Sequence, residues 1–193
     1  MTKTRRPLTW ADLTPREQMG LRLAVHESAH AIAGTLLGGR VRSAVVTESR
    51  VWGVDGLTTF EEIPPGRSPS VAYAGPWGEA RWLEGRRPSQ RLMRALMAGS
   101  GHGDHRAICA AAASADVYNY SNTSAEARLA VPPLLERAWP AVINLAKKIH
   151  RDGEAIHDDV CTALGITDGG GPGSSQLASL KAGLRSVPPI ATT

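Results

Sequence analysis

The chain reads as a mainly α protein with a small β-ribbon placed directly after its longest helix. Three observations predict this. Residues 15–37 carry apolar side chains at three- and four-residue spacing, with start and stop signals at their ends. Two stretches rich in Val, Thr and aromatics follow, interrupted by glycines. From there to residue 164 the chain is a series of Ala- and Leu-rich runs separated by Gly and Pro. At 193 residues and 42% hydrophobic content it fits one domain with a core of its own. The expected organisation is an arm over residues 1–13, a domain over 14–168 and a flexible tail over 169–193.

Taken in order, Trp10 is the one residue of the arm suited to tuck against the body. Thr14-Pro15-Arg16-Glu17 then reads as an N-cap, a proline at the first helical position and a capping-box glutamate. Met19, Leu23, His26, His30, Ala33 and Leu37 form the inward stripe of this helix, and Gly38-Gly39 stops it. Residues 41–47 and 51–60 are the two ribbon strands, closed by Ile63-Pro64-Pro65-Gly66. Ser68-Pro69 opens a second helix, in which Pro76 predicts a kink because it removes a backbone donor. After the break at Gly85-Arg86-Arg87-Pro88, helices are predicted over 90–97 and, beyond a glycine-rich turn, over 104–115. Residues 124–150 are helical again, with bends expected at Pro132-Pro133 and Pro140, and a short helix covers 158–164. Past Asp168, Gly, Pro and Ser dominate; that composition predicts flexibility with a marginal helix near 175–184.

Composition narrows the functional classes. The net charge of +4 is spread over short pairs such as Arg86-Arg87 and Lys147-Lys148 rather than a continuous stripe, which argues against a nucleic-acid partner. No stretch is long and apolar enough to cross a bilayer, and the N-terminus lacks the apolar core of a signal peptide, so a soluble cytoplasmic protein is expected. The two cysteines, Cys109 and Cys161, lie in apolar helical surroundings and are expected as buried free thiols, in keeping with a reducing compartment. No GxxxxGK[ST] loop is present, so no nucleotide is expected.

The strongest motif is His26-Glu27-Ser28-Ala29-His30. Two histidines four apart leave one face of a helix one turn above each other, so their imidazoles can share one metal ion. Glu27 is placed to reach a water at the metal rather than the metal itself, the arrangement of a zinc-dependent hydrolase with two histidine ligands and a carboxylate general base. A catalytic zinc takes a third protein ligand. Glu79, His102, Asp104 and His105 compete for that place. Glu79 lies among apolar helical residues, Asp104 follows a glycine turn at a helix start where an ordinary N-cap is an equal explanation, and the two histidines suit a loop.

His26-Glu27-Ser28-Ala29-His30-Ala31, then Ala74-Gly75 followed by Gly78-Glu79-Ala80, then Ser100-Gly101 running into Asp104, resembles in order the peptidase domain of FtsH-type AAA metalloproteases. In that family the motifs read HEAGHA, GGRAAEE and STGASND. The similarity spans about residues 15–165; Gly53 or Gly56 would match a glycine of the family's edge strand, and Ala138-Trp139-Pro140-Ala141-Val142 through Leu145-Ala146 looks like its closing helices. The resemblance implies zinc ligands at His26, His30 and Asp104, a general base at Glu27, and Glu79 orienting a ligand histidine. It also implies an edge strand that holds an extended peptide substrate by main-chain bonds.

The chain departs from the family in carrying Ala29 and Ser28 in the first motif, Pro76-Trp77 in place of an Arg-Ala pair, and residues 86–98 as an apparent insertion. The family's ATPase module and membrane anchor lie outside these 193 residues, so the expected activity is ATP-independent cleavage of peptides or unfolded segments. Nothing in the residues supports a homo-oligomer or a separate unfoldase partner. Tyr118, Tyr120 and His105 are the candidates for stabilising an oxyanion. Two other readings share some features: an ImmA/IrrE-type repressor-cleaving metalloprotease, which has the first motif alone, and a silent relative that binds peptides or a partner without cutting.

Overall fold

The computed structural model describes residues 9–49, 53–118 and 123–191. The Thr14 side chain accepts from the Glu17 backbone N–H while the Glu17 carboxylate takes the Thr14 N–H, and this capping box starts helix α1, Pro15–Leu36. From Leu23 to Leu36 α1 is buried on every side, where the sequence predicted a single inward stripe. Its small residues explain this, because Ala24, Ala29, Ala31, Ala33 and Gly34 let neighbours approach from all directions. Ala29 meets α2 at Gly78, and Gly34 meets the Phe60 ring. Met19, expected on the inward stripe, is exposed, since the first turns of α1 project beyond the packed body.

Strands β1 (Arg40–Ser49) and β2 (Gly53–Glu62) form the expected antiparallel ribbon, with register shifts around Val41. A third strand not foreseen from the sequence, β3 (Glu154–Ala155), pairs with β1 through Ala44 and Val45. The order is β2-β1-β3, which leaves β2 at the edge. Helix α2 (Ser68–Glu84) packs along α1 and ends at Gly85 in the left-handed conformation. It continues through Pro76 as one element. Helices α3 (Gln90–Ala98) and α4 (His102–Tyr118) follow, α3 capped by Ser89.

Pro132 and Pro133 lie inside α5 (Thr123–Arg137), which runs through them as one element. The carbonyls they deprive of a donor belong to Arg128 and Leu129, both on the solvent side, where water can serve them. The interruption comes instead at Ala138, and Pro140 sits in the first turn of α6 (Trp139–Asp152), where its missing N–H costs nothing. α7 (His157–Leu164) matches its predicted position.

The segment beyond Asp168, expected to be flexible, packs onto the body. Asp168 accepts from the Ser174 hydroxyl, Ser174 caps α8 (Ser175–Lys181), and Leu177 and Leu180 are buried in the common core. Asn144 and Lys147 of α6 then donate to the Pro189 and Ala191 carbonyls. Two leucines three residues apart and a serine cap outweigh the Gly-Pro-Ser composition. The fold is mainly α with a small three-stranded antiparallel sheet, and no described helix is long and apolar enough to cross a membrane. Both cysteines are free; Cys161 is buried as expected, but Cys109 is exposed because α4 turns only its neighbour Ile108 inward at that point.

Candidate metal centre

The HExxH turn lies in the buried stretch of α1, and Asp104 reaches it from the first turn of α4. The Nε2 atoms of His26 and His30 lie 3.1 and 3.3 Å from the two oxygens of Asp104. One ligand atom from each of the three residues falls within 4.8 Å of the others, so this buried group can hold a metal ion. His102 and His105, the competing histidines, are exposed and outside the group. Glu79 is also not a member of it.

Each imidazole is held by its other nitrogen. His26 Nδ1 is 3.0 Å from Glu79 Oε2, and His30 Nδ1 donates to the Val71 carbonyl at 2.7 Å. Both Nε2 atoms are thereby turned toward Asp104, the orientation from which they can ligate a metal once they carry no proton. Glu79 is fully buried, and its charge is answered completely: Arg22 donates twice to Oε1, at 2.9 and 2.6 Å, and Ser100 donates to Oε2 at 2.8 Å. Burial alone would raise the Glu79 carboxyl, but His26, Arg22 and Ser100 hold it below its ordinary value.

The electrostatics of the three donors favour a cation among them. Burial disfavours charge on His26, yet the Asp104 and Glu79 carboxylates outweigh it and the imidazole is pushed up to about 9. Asp104 is driven the other way: against burial, the two histidines hold it far below the usual carboxylate range. The cluster therefore attracts a cation, and a proton on His26 fills that role where a metal does not.

Space is provided by glycine. A Cβ at Gly75 would collide with the Nε2 atoms of both histidines, so that wall of α2 is bare where the donors converge. Donor chemistry, ring orientations held from the far nitrogens and a cradle that a single methyl group would fill all fit a metal ion. Glu27, the predicted base, is buried beside them and faces β2. Its Oε2 accepts from the Thr58 hydroxyl at 2.7 Å, and a Cβ at Gly56 would lie 2.6 Å from its Oε1. Gly56, not Gly53, is thus the strand glycine that touches the site; a Cβ at Gly53 would meet nothing.

Arg22, Val71, Gly75, Thr58 and Ser100 were not singled out from the sequence as parts of this site. A signal existed for some: Arg22 is one turn before His26, and Val71, Gly75 and Glu79 recur every four residues on one face of α2. Thr58 had none, since it depends on how the ribbon lies across α1. Tyr120 lies outside the described residues, as does the side chain of Tyr118, and His105 points away from the cluster into a cleft on the other side of α2.

No protein-family profile matches the chain, and no curated protein matches it either.

Proposed function

We propose that this chain is a zinc-dependent endopeptidase similar to the peptidase domain of FtsH-type proteases, hydrolysing peptides or unfolded segments without ATP. The observation that carries the reading is the convergence of His26, His30 and Asp104 with Glu27 beside them, buried and braced from the edge strand. Two imidazoles and a carboxylate are the donor set of a hydrolytic zinc site that keeps a position open. When bound, zinc supplies Lewis acidity to polarise a peptide carbonyl and to acidify water.

The chain's own residues supply the rest. The Thr58 hydroxyl fixes the Glu27 carboxylate, which takes the proton from the attacking water and returns it to the leaving amide nitrogen. Glu79 and the Val71 carbonyl keep both ligand rings from rotating. Among the described residues β2 has no strand on its outer side, and this edge, on the strand that carries Gly56 and Thr58, is suited to receive an extended peptide by main-chain hydrogen bonds with little side-chain selection.

The test is zinc content and cleavage of casein, with and without chelator. The purified chain should hold about one zinc, and Glu27→Gln should keep the metal while losing cleavage. Asp104→Ala should loosen zinc far more than His102→Ala or His105→Ala. A folded protein that takes up no zinc ends the proposal, and an active Glu27→Gln variant removes the assigned base.

A further inference from the structure

On the face of α2 away from the metal centre, a cleft of about 580 Å³ opens between α2, α3, α4 and α5. That volume lies inside the range of about 300–1,000 Å³ typical of small-molecule sites. Trp77, Met93, Met97 and Ile108 contribute an apolar floor, and the two methionines can adapt to an irregular ligand. Arg87, Arg94 and Arg128 come to the same cleft from three different segments. No aspartate or glutamate lines it, and among the described residues none of these three arginines has an ion-pair partner.

Arg94 makes only a long contact, 3.4 Å, to Gln90 on its own helix. Tyr73 stands between the charges: burial raises its phenol while Arg128 and Arg87 pull against that, so both guanidiniums act on one point of the wall. Solvated arginines are ordinary on a surface, and each alone would mean nothing. Three of them around an apolar hollow without a single acid make a concentrated positive potential over a greasy floor. An arginine fork also matches the planar oxygens of carboxylate and phosphate.

We infer that this cleft is a second binding site, for a small amphipathic anion with an apolar body and a carboxylate or phosphate head. The body lies against Trp77, Met93 and Met97, and the head meets Arg87 and Arg128 beside Tyr73. The site shares no residue with the metal cluster, so it stands whether or not the chain is a peptidase.

The test titrates the full chain, below micelle-forming concentrations, with dodecanoate, dodecyl phosphate, dodecylammonium and inorganic phosphate, following heat and tryptophan fluorescence. Saturable binding of dodecanoate or dodecyl phosphate at one per chain is expected, with the tighter of the two naming the head group. Dodecylammonium, which loses the charge-assisted hydrogen bonds, and inorganic phosphate, which lacks the apolar body, should each bind at least about tenfold more weakly. The Arg87→Ala/Arg128→Ala double variant, whose changes are at exposed positions, should keep its melting profile and lose about tenfold or more in affinity. Met97→Trp, which fills the hollow, should block the long-chain anions. Equal binding of dodecylammonium and dodecanoate, unchanged affinity in the double arginine variant, or no saturable anion binding overturns the site.

Discussion

Replacing Gly75 by alanine adds one methyl group at the point where His26 and His30 converge. The new Cβ meets the Nε2 atoms of both rings, and neither ring can give way without losing its own anchor. His30 is tied to the Val71 carbonyl at 2.7 Å and His26 to Glu79 at 3.0 Å. Overpacking of this kind costs about 1–3 kcal/mol in stability. The larger effect falls on the metal, because the methyl group occupies the space between donors that lie within 4.8 Å of one another. A loss of at least about a hundredfold in affinity, or roughly 2.8 kcal/mol, is expected.

The assay is competition for zinc against a chromogenic chelator, paired with thermal unfolding of the metal-free chain. Gly20→Ala on α1 is the control: its Cβ would meet nothing, and the change removes a helix-interior glycine, so metal affinity should hold and stability rise by up to about 1 kcal/mol. Gly75→Ala protein that binds zinc as tightly as the parent refutes the idea that the bare wall of α2 is what makes room for the ion.

Glu79→Gln should lower metal affinity about 10–100-fold, the usual effect of losing a carboxylate behind a ligand histidine. It should also destabilise the metal-free chain by about 3 kcal/mol by leaving Arg22 and His26 without their shared anion, read by denaturant unfolding. Apparent zinc affinity should climb with pH toward about 9 and then flatten, since below that value the metal must displace the proton on His26; titrations showing affinity falling over this window contradict the site's charge balance. Leu177→Ala should cost about 2–5 kcal/mol in unfolding free energy while leaving metal affinity unchanged, because α8 is part of the core but remote from the ligands; no loss of stability would return the segment to a loose tail.

The sequence made the members of the candidate metal group legible in two different ways. His26 and His30 needed only helical spacing, and Thr14, Pro15 and Glu17 announced the helix that carries them. Asp104 could not be separated from Glu79, His102 and His105 by spacing, because the contact bridges 78 residues between α1 and α4; the order of three motifs singled it out. Thr58 and Val71 stayed hidden because one is an ordinary strand hydroxyl and the other acts through its carbonyl, which no side-chain pattern records. Element positions were read well where local signals are strong, as for α1, α2 and the ribbon. The fold was misread where composition competes with a few contacts, in the Gly-Pro-Ser stretch overruled by Leu177 and Leu180, and β3 was missed, being too short to leave a pattern.

Because the three donors come from α1 and α4, with α2 as the wall between them, no one of these helices can detach without releasing a bound ion. Occupancy by an ion would therefore be linked to unfolding of the chain as a whole. An ion present at 100 times its dissociation constant adds about 2.7 kcal/mol to the native state, and at 1,000 times about 4.1 kcal/mol. Domains of this size hold only about 5–15 kcal/mol in total. If the group holds an ion as proposed, the free-metal level around the molecule would act as a thermostat on its lifetime, and scarcity would shorten the protein's survival along with any chemistry at the site.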